Sequence, residues 1–538
     1  MSVTYYVKAS LCAAFLLFFT YGFCSWILCP RYGQRLPPGP KSLPVLGNFL
    51  QVPTKHMERK FAEWGKIYGD VVYTRFLQTP VVILNSLEAA QDLLDKRSAK
   101  YSDRPPITLL SDLVGWGYAI TGMPYGDRTR KHRRWMHDAM GSKNSVKNWV
   151  PMQQRVTYNL LSGLCDQPQA LSRHINRFAA ASIVEMAYGH SITSLDDEYV
   201  LLADKAMEET VEGGFPGLML VDFLPTLFLE HTPSWLPGPL GDFIRKAPSV
   251  KAATDAMHET PYQMVKSTMA SGSARPSLTS SLIAKLSDKG ELTEEDEKDI
   301  KGATGVLYGA GTETTVSTLS NFFLAMVLYP DVFKKARQEI DRVVGTERLP
   351  DFDDREQLPY VDCVLQEVYR WGCPPPLGLP HRLVSDDEYR GYHIPAGSTV
   401  IANIWAMSRD ERVYADPEVF RPERFENLDR ETAQFVDPRR YTFGFGRRVC
   451  PGLLLADGSI WLAFANIIAT LDIRKARDAS GQELTPVAAW VSGFVRQVSR
   501  LTLLCNRYVD QKEQSAGQLC RGHTATLDSK CGIDSADE

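Results

Sequence analysis

The stretch that most narrows the possible folds is ten residues long: Phe443-Gly444-Phe445-Gly446-Arg447-Arg448-Val449-Cys450-Pro451-Gly452. A glycine-punctuated loop delivers one cysteine, and an apolar helical run, Leu453–Leu471, follows directly. Cys450 is therefore expected at a helix N-terminus, where unpaired N–H groups and the macrodipole favour a thiolate. Gly444 and Gly446 permit backbone conformations closed to other residues, so that amides can approach the sulfur. Arg448 supplies a cation that can pair with a carboxylate on a ligand. A cysteine by itself is most often a small buried hydrophobe; the spacing F-x-x-G-x-R-x-C-x-G is a far narrower requirement.

The surrounding body reads as helix-rich. Helical patterns cover Leu87–Lys96, Gln153–Gly163, Glu295–Tyr329, Asp331–Val344 and Val361–Trp371, whereas strand-like stretches are short: Val71–Arg75, Val81–Leu84 and Ser398–Ala402. No linker or short-period repeat interrupts residues 41–508 of the 538, so one large domain is expected. Lys plus Arg is 60 and Asp plus Glu 64, a net charge of −4, which lacks the basic footprint of a nucleic-acid binder. Apolar residues at 44% and charged residues at 23% speak against a disordered or collagen-like chain. Ten cysteines with no C-x-x-C pair predict neither a disulfide scaffold nor a zinc site.

Ahead of the body, Ala9–Pro30 is a run of 22 uncharged residues with Leu16-Leu17-Phe18-Phe19 at its centre and Tyr21 and Trp26 towards one end. About 20 apolar residues span a bilayer as a helix, and a signal peptide's apolar region is shorter, so residues 9–30 are expected to be a retained anchor. Lys8 precedes the run, and Arg31, Arg35 and Lys41 follow it. The positive-inside rule then puts residues 1–8 in the lumen and the body in the cytosol. Residues 31–40 contain Leu36-Pro37-Pro38-Gly39-Pro40, a basic and proline-rich hinge that cannot continue a helix. Residues 509–538 form a polar tail with six acidic and three basic residues, expected to be disordered.

Three further constellations lie in the body. Ala310-Gly311-Thr312-Glu313-Thr314-Thr315 sits inside a long helical stretch. Gly309 and Gly311 weaken that helix, each by about 1 kcal/mol relative to Ala, mid-helix hydroxyls can bond a backbone carbonyl and bend it, and an acid beside them could guide protons. Taken alone, small residues in a helix serve close packing. Glu367 and Arg370 are three apart on the helix Val361–Trp371 and can pair. Arg128-Thr129-Arg130-Lys131-His132-Arg133-Arg134-Trp135 is a basic helix, by itself a solvated face.

With the ten-residue loop, these motifs in this order resemble the cytochrome P-450 superfamily of haem-thiolate monooxygenases, from the anchor to about residue 505, in the microsomal style of fungal secondary metabolism. The resemblance implies a mainly α fold with small β-sheets, one large domain enclosing haem b, preceded by a transmembrane helix. It implies that Cys450 is the axial haem-iron ligand, that Arg448 pairs with a propionate, and that Phe443 packs beside the sulfur within the loop shaped by Gly446. Thiolate donation favours O–O cleavage. Thr314 would hydrogen-bond dioxygen, Glu313 would be the acid of a proton relay, and Gly311 would leave room for dioxygen and substrate. Glu367, Arg370 and Arg424 of Pro422-Glu423-Arg424-Phe425 would form a buried structural network. The family's W-x-x-x-R motif departs here: Arg133 matches, but Thr129 stands at the Trp position. Arg133, Arg448 and His381 would then hold the propionates.

The implied reaction inserts one oxygen atom of O2 into a small lipophilic substrate, a terpenoid or polyketide, with electrons from NADPH through the cytochrome P-450 reductase. The implied address is the endoplasmic reticulum membrane, single-pass. No G-x-G-x-x-G opens a βαβ unit, so NADPH is expected to bind the partner. Arg130, Lys131 and Arg134, with Arg439, Arg440 and Arg447, would offer the acidic reductase a positive face. The pocket would draw on Arg104–Tyr118, Phe215–Phe243, Val306–Thr314, Pro374–Leu379 and Val491–Val495, and the proline-rich Phe215–Phe243 would dip into lipid. The rivals are a haem-thiolate isomerase or dehydratase needing no external electrons, which Thr314 and Glu313 argue against, and a non-catalytic haem- or ligand-binding membrane protein.

Overall fold

A computed structural model describes residues 35–212, 220–223, 239–478, 480–499 and 503–507. The expected anchor (9–30), most of the hinge's first half, the polar tail and much of Phe215–Phe243 lie outside the described residues.

Eleven helices organise the body: α1 (Met57–Tyr68), α2 (Asp127–Met140), α3 (Val150–Asp166), α4 (Leu171–Tyr188), α5 (Glu198–Glu212), α6 (Pro239–Ala270), α7 (Leu278–Ser287), α8 (Glu294–Leu328), α9 (Pro330–Val343), α10 (Pro359–Gly372) and α11 (Leu453–Thr470). The longest, α8, starts where its sequence says it should. Thr293 caps the N–H of Asp296, Asp296 returns the bond to Thr293, and Glu294, Glu295, Asp296 and Glu297 place negative charge on the positive end of the dipole. Tyr329-Pro330 ends it, because proline restricts the preceding residue and cannot donate; Pro330 then opens α9, which departs at 104°.

One four-stranded sheet flanks the helices: β1 (Val71–Phe76), β2 (Thr79–Leu84), β3 (His381–Arg382) and β4 (Thr399–Ala402), in the order β1-β2-β4-β3. β1 and β2 are an antiparallel hairpin with Val71 opposite Leu84, β2 runs parallel to β4 with Val81 opposite Thr399, and β3 returns antiparallel, setting His381 opposite Val400. All three predicted strands are present within a residue or two.

The core runs through α4, α8, α10 and α11. Among the described residues, α11 is the one helix that by itself is long and apolar enough to cross a membrane, but 78% of it is buried inside the body, so it is a core helix. One predicted helix differs. Leu87–Lys96 is α-helical only to Ala90, and Gln91–Lys96 widens into a π-helix. The wide turn carries Leu94 and Asp95 against the cysteine loop, as described next.

Candidate active site

The loop before α11 is shaped by two glycines with positive φ, Gly444 at +78° and Gly446 at +51°. Gly446 is irreplaceable on two grounds: its φ is in the left-handed region, and a Cβ there would lie 2.2 Å from the Leu94 carbonyl oxygen. Its N–H donates to the Asp95 carboxylate, which locks the loop to the π-helix. The Cys450 N–H then donates to the Phe443 carbonyl at 2.7 Å, closing the loop. Phe443 packs edge-on to Tyr369 of α10, ring centroids 5.4 Å apart.

Cys450 is a free, partly accessible thiol just ahead of Gly452, the N-cap of α11. Burial raises its pKa, while the Gly452 N–H and the Arg133 cation pull it down. The helix start and the nearby cation thus act in the direction expected from sequence, yet desolvation outweighs them in the protein alone. A bound cation at the sulfur would reverse that balance.

Beside the loop three arginines, Arg448, Arg104 and the partly buried Arg133, gather with a buried histidine, His381. Arg448 donates to the carbonyls of Ser102 (2.8 Å), Ile120 (3.2 Å) and Met123 (2.7 Å). Arg104 donates to those of Thr121 (3.0 Å), Leu379 (2.9 Å) and Pro380 (2.7 Å). Arg133 donates to Val449 O at 2.9 Å. His381 Nδ1 donates to Tyr101 O at 2.7 Å, which assigns its tautomer and leaves Nε2 free of that contact. Burial lowers all four pKa values, Arg448 to about 10; Arg448 and Arg133 press Arg104 down further, and Arg104 and Arg448 do the same to His381. Asp103 opposes this at Arg104 and Arg448, with Tyr125 adding to it at Arg448, and the Asp103 carboxylate already accepts from the Tyr125 N–H.

Buried charges are ordinarily paired. A cationic cluster this short of carboxylates, adjoining a cysteine thiol, fits a group that carries its own carboxylates and takes a thiolate ligand. Haem b, with two propionates and an iron, is such a group. Arg104 was absent from the sequence-predicted donors; the signal available was Ser102-Asp103-Arg104-Pro105, an arginine directly before a proline. Thr129, in place of the family's Trp, points elsewhere: fully buried, it donates to Pro124 O and ties the preceding loop to α2.

On α8, Gly302–Gly309 are buried, but Ala310 is exposed in mid-helix, so the helix borders an open space there. Thr314, four residues on, shares that side, and its hydroxyl donates back to Ala310 O at 2.8 Å. The Glu313 carboxylate accepts from Gln497 Nε2 at 3.0 Å, and the same amide reaches Glu313 O at 3.2 Å. Burial raises the Glu313 pKa, with Gln497 lowering it in part. Gln497 comes from a strand 184 residues away and carries no sequence signal. Gly311 also sits at a close helix contact. A side chain there would meet Ile183 of α4 at 2.7 Å, so the missing Cβ lets α4 approach α8.

The Glu367 network is as expected. Arg370 Nε and Nη2 bind both Glu367 oxygens at 2.7 Å, Arg424 Nε adds a bond of 3.1 Å and the Arg421 N–H one of 2.7 Å. The predicted positive face is smaller than its sequence suggested. Lys131 pairs with Asp296 and Asp299 of α8, Arg130 with Asp127, and Arg439 is enclosed by Asp362, Asp437 and Asp457. Arg134 and Arg447 remain exposed.

Comparison with known proteins agrees with this geometry. The family model for cytochrome P450 matches residues 37–495. Cytochrome P450 monooxygenase 176 of Postia placenta is 43% identical over 514 residues, 95% of this chain and 96% of its own. Monooxygenase 136 of the same fungus is 47% identical over 470 residues, 87% and 88% of the two chains. Monooxygenase claT of Ampulloclitocybe clavipes is 41% identical over 475 residues, 87% and 92%.

Proposed function

This chain belongs to the cytochrome P450 family, whose members bind haem b through a cysteine thiolate and put oxygen into organic molecules, and from that premise we propose that it is a membrane-anchored monooxygenase with Cys450 as its iron ligand. The observation that carries the assignment of residues is the cluster of Arg104, Arg133 and Arg448, short of carboxylates and joined by the neutral donor His381, beside the Cys450 loop. These four side chains would hold the propionates. Haem, when bound, supplies the oxidation chemistry.

What the protein adds is orientation and proton management. Thr314, held by Ala310 O on the accessible side of α8, is placed to hydrogen-bond dioxygen. Glu313, with its pKa raised by burial, is suited to hold a proton and pass it on. The electrons come from NADPH through a reductase that docks near Arg134 and Arg447. Val306, Ala310 and the apolar Pro374–Leu379 turn favour a small lipophilic substrate. The role we propose is in secondary metabolism, with a terpenoid or polyketide as substrate class.

The test is the carbon monoxide difference spectrum of reduced microsomes holding wild type or Cys450→Ala. The long-wavelength Soret band of a thiolate-ligated haem should be present in wild type and absent from the variant. A folded, haem-loaded wild type without that band would remove Cys450 from the role.

A further inference from the structure

Glu313 is partly buried on α8, and α5 carries further acids against that helix. Asp204 and Glu208 are one turn apart on α5, Asp204 partly buried and Glu208 exposed. The helix is held close to α8: a Cβ at Gly309 would lie 2.7 Å from Met207 Sδ. Tyr308 of α8 lies on that contact, with its buried hydroxyl 3.4 Å from Val200 O of α5, one turn before Asp204. Four residues on, the Thr312 hydroxyl is buried and lacks a hydrogen-bond partner. An unpartnered buried hydroxyl between two acids is where a bridging water belongs.

We propose that Asp204 is the outer acid of the proton route, resupplying Glu313 by way of Tyr308 and a water at Thr312, and being resupplied from solvent past Glu208. The step balances as a proton transfer: the proton leaves the Asp204 carboxyl, arrives on the Glu313 carboxylate, and Asp204 recovers one from solvent. Burial, then the charges of Glu313 and Glu208, hold Asp204 up at about 6, with Tyr308 opposing. Its charged neighbours on both helices are thus carboxylates. An acid that is half-protonated near working pH is a proton store; a salt-bridged one is not. Asp204 acts through Glu313 and is a positioning residue. The inference rests on Glu313 being the inner acid.

The experiment uses the purified full-length holoenzyme as wild type, Asp204→Asn, Asp204→Glu and Glu313→Gln. Infrared difference spectra across a pH titration read protonated carboxyls, and NADPH oxidation with added reductase is followed over the same pH range. Wild type should show a carboxyl titrating near 6, lost in Asp204→Asn and moved down in Glu313→Gln, where the neighbouring charge is gone. NADPH oxidation in Asp204→Asn should fall on the order of tenfold and lose its pH dependence, with Asp204→Glu restoring both and the carbon monoxide spectrum intact throughout. If Glu313→Gln slows turnover while Asp204→Asn matches wild type in rate and pH profile, the outer-acid assignment is overturned and Glu313 stands. If Glu313→Gln also matches wild type, the inner-acid reading fails and the proposal falls with it.

Discussion

The Glu367 carboxylate accepts four hydrogen bonds, two from Arg370, one from Arg424 and one from the Arg421 N–H, and it does so with Glu367 and Arg370 side chains both fully buried. Arg370 spends its remaining donors on the carbonyls of Ser408, Pro417 and Val419. Substituting Glu367→Gln keeps the shape and removes the charge, leaving buried Arg370 and Arg424 with an amide. Breaking such a pair from one side costs about 3–5 kcal/mol, and the strands of chain it ties down lead into the cysteine loop. The expected result is a lowered urea midpoint and a smaller haem-loaded fraction in the purified variant; an unchanged midpoint would show that the network is not holding this region. At this scale the sequence was informative where chemistry is contiguous. Cys450, Phe443, Gly446 and Arg448 stand within eight residues, and Glu367 with Arg370 within one helical turn. Arg104, Asp95 and Gln497 were not legible, because each reaches its partner across the fold, with 351 residues between Asp95 and Gly446.

Between elements, close approach is written in glycines and settled by what faces them. On α8 a Cβ at Gly305 would collide with His258 of α6 at 1.8 Å, and His258 in turn meets the edge of Trp116, centroids 5.3 Å apart. Burial lowers the His258 pKa to about 4; Asp255 and the Thr254 backbone oppose this, and Lys301 adds to it. The sign for stability follows from linkage. The unfolded chain's imidazole takes up a proton near pH 6.5, whereas the folded one does not until about 4. Acid therefore favours the unfolded state: the contribution is full above about pH 6.5 and declines below it, by up to about 3 kcal/mol. His258→Phe should lose less urea stability than wild type between about pH 7 and about pH 5, and an equal loss in both would count against the burial of a neutral imidazole at this crossing. Periodicity and caps placed α8, α9 and α10 to within a residue or two, since those signals are local. The switch to π-helix at Gln91 was hidden, because the demand for it comes from the cysteine loop far along the chain.

For the whole molecule the question is how a helical body with a buried oxidation site meets a lipophilic substrate. In the proposed reading the apolar run of residues 9–30 would supply an anchor, and Tyr73 N–H binding Pro38 O holds the end of the hinge against β1. Beyond the hinge the surface itself is apolar in one region. Leu50 is 68% exposed beside Phe49, which packs on Phe223. Val491 is 56% exposed, and its neighbour Ser492 receives the His56 N–H at 2.8 Å, joining the two segments. Exposed apolar residues such as these would add a second attachment to the proposed anchor, and two weak membrane signals hold where one is reversible. The full chain should therefore resist alkaline carbonate extraction from microsomes. A variant lacking residues 1–30 should be released by carbonate yet still sediment with lipid vesicles at neutral pH until Leu50→Ser and Val491→Ser are added. If the truncated chain is fully soluble without those substitutions, residues 9–30 are the sole attachment and the apolar surface serves some other contact.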